Sequence, residues 1–174
     1  GPPTSADLRA AGWAEAAALL AALTPADVVT TASPVVPAAE GEATVRSPEG
    51  AEAHAQVRFG DPPAVAVRLT GCGPPLDEVV LRSYCVGAAH MALGWVCSEG
   101  LAVDDEGEVH DLTIRSFGIL RAVDMPPVTV EVVPSGGQTV NGSDAVFSAV
   151  AAAAWRAQGC PPAWPTGLVP RSRR

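Results

Sequence analysis

The spacing of apolar and polar positions changes along the chain, and each spacing names an element. Residues 4–23, TSADLRAAGWAEAAALLAAL, set Leu8, Ala11, Glu15, Leu19 and Leu23 near helical intervals. Thr4 or Ser5 can cap this helix, and Thr24-Pro25 stops it. Gly12 costs such a helix about 1 kcal/mol relative to alanine, which predicts close packing against a neighbour. DVVTTAS is then a short β-prone piece and PVVPAAEGE a loop. Period two takes over in three strands, at residues 43–46, 53–59 and 64–70. In the second, His54, Gln56 and Arg58 alternate with Ala55, Val57 and Phe59, the pattern of a half-buried strand.

After GCGPP the helical period returns in LDEVVLRSYCVGAAHMALGWVCSE, residues 76–99, with apolar residues on most sides. That predicts a helix buried in the middle of the fold. LAVDDEGEVHDLTIRSF reads as two short strands joined by the acidic turn at Asp104, Asp105, Glu106 and Gly107, and PPVTVEVVP is the clearest strand in the chain. The glycine-rich SGGQTVNG leads into a closing helix from Ser143 to about Gln158, stopped by Gly159. The expected fold is α+β, with about three main helices and a mostly antiparallel sheet. It forms one domain over residues 1–170 and leaves 171–174 as a tail.

Composition narrows the chemistry. A hydrophobic share of 48% against 17% charged suits a packed chain rather than a disordered one. The net charge is −8 and all 11 basic residues are arginine. The missing lysine removes Schiff-base chemistry and the P-loop type of phosphate site, and the acidity argues against nucleic acid. No unbroken apolar run reaches about 18 residues, so a membrane-spanning role is not expected. Cys72, Cys85, Cys97 and Cys160 show no CxxC pair and no zinc-like spacing with histidine, so they read as reduced, packed thiols in a cytoplasmic protein. Gly1-Pro2 suits either the scar of a tag-removing protease or a processed start, and the closing GLVPRSRR resembles a thrombin-cleavage sequence, so Arg171, Arg173 and Arg174 receive no functional role.

Few residues stand out as chemical. DDEGEVHD lacks the ligand spacing and closing glutamate of a calcium loop and reads as a hairpin turn. His90 follows Cys85 by five residues, on a different face of the same helix, and His54 and His110 show no partner in the pattern. Two helix mouths remain, at Thr4-Ser5 and at Asn141-Gly142-Ser143. Free backbone N–H groups and the positive end of the helix dipole make each a natural anion site. Asp144, in the first turn of the second, works against a bound phosphate.

The run GAAHMALGWVCSEGLAVDDEGEVHDLTIRSFGILRAVDMPPVTVEVV resembles the C-terminal part of the molybdopterin-binding subunit of the xanthine dehydrogenase/aldehyde oxidase family, the molybdenum hydroxylases. That family has a glycine-rich helix ending in G-x-G-x-x-x-x-E, here Ala92 to Glu99 in looser form. A D-x-x-G hairpin, an R-x-x-x-x-P segment (here in GILRAVDMPP), a V-E-V-V strand, a glycine loop and a last helix follow. Order and spacing agree from about Gly71 to Trp155. The opening GPPTSADLRAAGWAEAAALL is similar to a serine/threonine-rich turn and helix of the same subunit.

The resemblance implies a module that holds molybdopterin and hydroxylates heterocycles or oxidises aldehydes, with Thr4, Ser5, Tyr84, Asn141 and Gly142 facing the cofactor. It places Ser143 where the family's G-x-G-E-P-P motif carries its general-base glutamate, with Asp144 one residue later and one methylene shorter. Loss of a general base costs about 10²–10⁴-fold in rate. Ser83-Tyr84 and Met91-Ala92 stand where the family has G-Q and Q-G. The family's upstream cofactor segments have no counterpart, so a larger partner subunit is expected to supply them, with a small molecule as substrate. Two other functions fit the same residues. One is a stand-alone, cofactor-free acid/base enzyme (isomerase, dehydratase or cyclase) using Asp144, Tyr84, His90 or Glu99. The other is a non-catalytic scaffold or chaperone.

Overall fold

A computed structural model describes residues 6–23, 40–110, 113–114 and 116–167. The expected cofactor-facing Thr4 and Ser5, the β-prone DVVTTAS and the terminal arginines lie outside these residues.

The elements run α1 (Ala6–Leu23), β1 (Glu40–Arg46), β2 (Glu52–Arg58), β3 (Ala64–Thr70), α2 (Glu78–Cys97), β4 (Ala102–Val103), β5 (Val109–His110), a 3₁₀ turn (Ala122–Asp124), β6 (Val128–Val132) and α3 (Ser143–Ala157). The fold is α+β, as the alternation of periods predicts. Four strands form one sheet in the order β1-β2-β3-β6. The two hairpin-connected pairs are antiparallel, whereas β6 joins β3 in parallel with Val67 opposite Val130. Parallel pairing follows from the intervening chain: α2 and the small β4–β5 hairpin carry it back to the starting end of the sheet.

Strand alternation sets the layers. Ala43, Val45, Ala53, Ala55, Val57, Val65, Val67 and Leu69 are buried on the inner face, while Glu42, Thr44, Gln56 and Arg68 point outward. His54, Gln56 and Arg58 share the outer face, as their spacing implies. The inner face rests on α3, which α1 and α2 cover from other sides. Eleven of the fifteen residues of α3 are buried, eight of them alanine or serine. Small side chains let backbones approach closely. At Gly41 on β1, an added Cβ would run into the backbone of Ala153 and Ala157. The buried Ser148 hydroxyl donates to the Ala14 carbonyl at 3.0 Å, tying α3 to α1.

Two expectations are corrected. Gly12 is exposed, and a Cβ there would meet nothing within 4 Å, so it does not mark a close contact. The helix in the middle of the fold is α3, not α2. Only one side of α2 is buried, through Leu81, Cys85, Ala88, Ala89, Ala92 and Leu93 among others. By length and composition alone α2 could cross a membrane, but Arg82, Ser83 and His90 interrupt its apolar run, as expected. Of that stretch 44% is buried inside the chain.

Candidate functional site at the start of helix α3

The mouth of α3 is built by three loops. The β1–β2 turn brings Glu49, the chain after β3 brings Gly71, Cys72 and Gly73, and the glycine-rich loop brings Ser135 to Gly142. The Gly73 N–H donates to the Ser135 hydroxyl at 3.0 Å, the Val140 N–H to the Cys72 carbonyl at 3.1 Å, and the Thr139 hydroxyl to the Pro74 carbonyl at 2.7 Å. These bonds hold the loop against the end of β3.

Gly142 is the N-cap residue and no side chain bonds from it, so Ser143 is the first residue inside the helix rather than its cap. Asn141 does part of the capping: its carboxamide oxygen accepts the Ser143 N–H at 3.0 Å. Gly142 is buried, and a Cβ there would lie 2.7 Å from a Leu69 methyl and 2.8 Å from the Cys72 sulfur. A side chain here would have to displace Leu69 and Cys72, which gives the glycine of NGSD a packing reason. No hydrogen bond of the Ser143 hydroxyl occurs among the described residues, and no histidine stands beside it as a base. Asp144 is exposed as a residue, yet partial burial of its carboxyl and then the Glu49 carboxylate hold it above the ordinary range. Two acids thus share this mouth.

Tyr84 lies 57% exposed on the outward side of α2, while its neighbour Cys85 points inward towards Cys72. Asn141, Gly142, Ser143 and Asp144 lie together at the start of α3, and Tyr84 faces solvent on α2. The cysteines are free thiols, and burial pushes Cys85 and Cys97 up to about 11, which leaves them un-ionised and inert at neutral pH.

Sequence reasoning left the histidines unpartnered; the structure supplies partners across strands. His54 Nδ1 lies 2.9 Å from the Thr44 hydroxyl on the neighbouring strand. His110 Nε2 lies 2.5 Å from an Asp104 carboxylate oxygen, closing the β4–β5 hairpin. That contact first, and then backbone N–H groups of the turn, hold Asp104 below the ordinary carboxylate range. The acidic turn is a hairpin device. His90 Nε2 lies 2.5 Å from the Leu120 carbonyl oxygen, and Glu99, raised by burial and opposed by His90, folds over Gly94 where a side chain would otherwise stand. The G-x-x-x-x-E spacing at the end of α2 thereby acquires a packing role.

Two concavities, of about 560 and 320 Å³, lie on the sheet, and His54 lines the smaller one. They share Gln56 and Ala66 on the sheet's outer face, and neither touches the α3 mouth. Among the described residues no three His, Cys, Asp or Glu side chains gather as a metal set. The α3 mouth, crowded by Leu69 and Cys72 and flanked by two acids, is not by itself a cradle for an anionic cofactor.

No family model and no curated protein matches the chain. Among solved structures, CO dehydrogenase from Oligotropha carboxidovorans aligns over 62% of this chain and 15% of its own, with a TM-score of 0.50 and 11% identity. The fold is shared with part of a CO dehydrogenase chain. A second structure, of Cu,Mo-CO dehydrogenase, aligns at TM-score 0.48 and 11% identity over 62% and 14% of the two chains. Quinoline 2-oxidoreductase from Pseudomonas putida 86 aligns at 0.49 and 16% identity, over 62% and 15%. The chain thus spans about 15% of the length of the solved chains it resembles.

Proposed function

We propose that this chain is one part of a molybdenum-hydroxylase-like oxidoreductase, hydroxylating a heterocycle or oxidising an aldehyde together with a larger, cytoplasmic partner chain. The supporting observation is the fold shared with a stretch of CO dehydrogenase, of whose chain it covers only 15%. The described residues do not make a molybdopterin site by themselves, so in this reading the partner holds the cofactor. Asn141, Gly142 and Ser143 contribute one helix mouth to the wall of the shared cleft. There the N–H groups at the start of α3 orient an acceptor by hydrogen bonding, and Asp144, beside Glu49, is a carboxylate placed to move a proton.

Elemental analysis of the protein purified untagged from its source, with whatever co-purifies, tests this. The expected result is about one molybdenum per complex and a larger chain in fixed ratio. Metal-free, homogeneous protein would overturn it. In such a complex Ser143→Glu restores a carboxylate at the family's general-base position. Hydroxylase turnover should rise, and no rise removes the alignment of Ser143 with that base.

One observation favours the cofactor-free alternative. Asp144 beside Glu49 is a carboxyl pair with one member raised, the arrangement that suits acid/base exchange. In that case Asp144→Asn abolishes activity in the isolated chain.

A further inference from the structure

We infer that the outward side of α2 is the docking seam for an apolar helix of a partner chain whose flanks are basic. The inference rests on the partner-chain reading above and assigns the face of contact. Leu76 is 94% exposed just ahead of the helix, and Val80, Tyr84 and Met91 are about half exposed along it. Val80, Tyr84, Gly87 and Met91 follow one another at intervals of four, three and four, the spacing of a seam that receives the side chains of another helix. A Cβ added at Gly87 would meet nothing within 4 Å, so the middle of the seam has room for close approach. Val79 and Val86 flank it on one side, and Ile119 and Val123 are exposed on the segment that His90 holds against α2 through the Leu120 carbonyl.

The seam ends where the chain supplies its own cover. Residues 160–167 return across the last turn of α2. The Thr166 N–H donates to the Val96 carbonyl at 2.9 Å, and Trp164 meets Trp95 edge-on at 4.5 Å. Val96 and Cys97 are fully buried there. The preceding turns carry the same kind of apolar surface without cover, which marks an interaction face.

An extended strand is a poor occupant, because the Arg82 guanidinium already takes the outward carbonyl of Val130 on edge strand β6. Charge selects among helices. The start of the seam carries Asp77 and Glu78. Chain connectivity sets the hairpin acids Asp104, Asp105, Glu106 and Glu108 just beyond the end of α2, and Asp124 lies along the side. Among the described residues the rim's arginines, Arg82 and Arg121, each pair with one of these acids, Glu78 at 2.7 Å and Asp124 at 2.6 Å, so Asp77 and the hairpin acids carry the remaining negative charge. A second copy, itself carrying −8, would bring like charge to like. A helix with arginine or lysine on its flanks meets the rim with opposite charge.

The test uses the full chain and two labelled 20-residue helical peptides with the same leucine stripe, one flanked by arginine and one by glutamate. Fluorescence anisotropy should show the arginine-flanked peptide binding at least tenfold tighter, with the preference shrinking as salt rises. Met91→Glu should weaken that binding at least tenfold. Val123→Glu, at a second exposed position, should weaken it too, and circular dichroism checks that both variants fold. Equal binding of the two peptides, or of neither, overturns the inference. So does a wild-type dimer that Met91→Glu makes monomeric, or co-sedimentation with phosphatidylcholine vesicles that Met91→Glu abolishes. The peptides carry no metal, so failure here leaves the molybdenum result standing, and failure of the molybdenum result leaves this one readable.

Discussion

Helices α2 and α3 are both apolar, yet the chain finishes the burial of one and not of the other. α3 is made of alanine and other small residues, and the sheet, α1 and α2 close around it until eleven of its fifteen residues are buried. α2 carries larger side chains, buries nine of its twenty residues and leaves Val79, Val80, Tyr84 and Met91 in solvent. Apolar content alone therefore does not locate the centre of a fold. Small side chains do, because they allow the close backbone approach that central packing requires.

Substitutions can break or sharpen that contrast. The largest effect is expected on the inward side of α2. Leu93→Ala opens a cavity at a fully buried position and should cost about 2–5 kcal/mol in urea-denaturation stability. Next comes the tight approach to α3. Gly41→Ala forces a methyl into the backbone of Ala153 and Ala157 and should cost about 1–3 kcal/mol by the same measurement. Smaller again is Asp77→Ala. It removes the carboxylate that accepts the Val79 and Val80 N–H groups at 2.8 and 3.1 Å and should cost about 1 kcal/mol. Val79→Ser, on the outward side of α2, should stay within about 0.5 kcal/mol. A large loss there would show that the isolated chain does use that face.

The smallest effect is on pH dependence at the α3 mouth. Asp144 binds its proton more tightly in the folded chain than in the unfolded one. The folded state therefore loses stability as pH rises from the ordinary aspartate range through the raised folded value. Asp144→Asn should flatten that part of the stability–pH curve relative to wild type, and an unchanged slope would place the carboxyl in open solvent.

Much of the architecture was legible because local periods follow from the geometry of one element. β3 falls at residues 64–70 as expected, α3 starts at Ser143, and the three-helix α+β fold and the hairpin at Asp104 follow from spacing alone. The candidate site was half legible. Asn141 through Asp144 are neighbours in sequence and remain neighbours in space. The resemblance puts Tyr84 in the same cleft, and the fold leaves its ring exposed on α2. Glu49, the second acid at that mouth, carries no local signal, because it arrives from a turn almost a hundred residues earlier. The partners of His54 and His110 were hidden for the same kind of reason, since cross-strand register decides them.

The sequence by itself determined what each segment could become: which stretches alternate, which wind, where glycine and proline stop them, and that lysine chemistry is absent. Only the tertiary structure decided which apolar helix is central and which keeps a bare side, that β6 pairs in parallel, and that Glu49 meets Asp144. Periodicity records one element's own geometry, whereas these outcomes depend on distances between residues far apart in the chain.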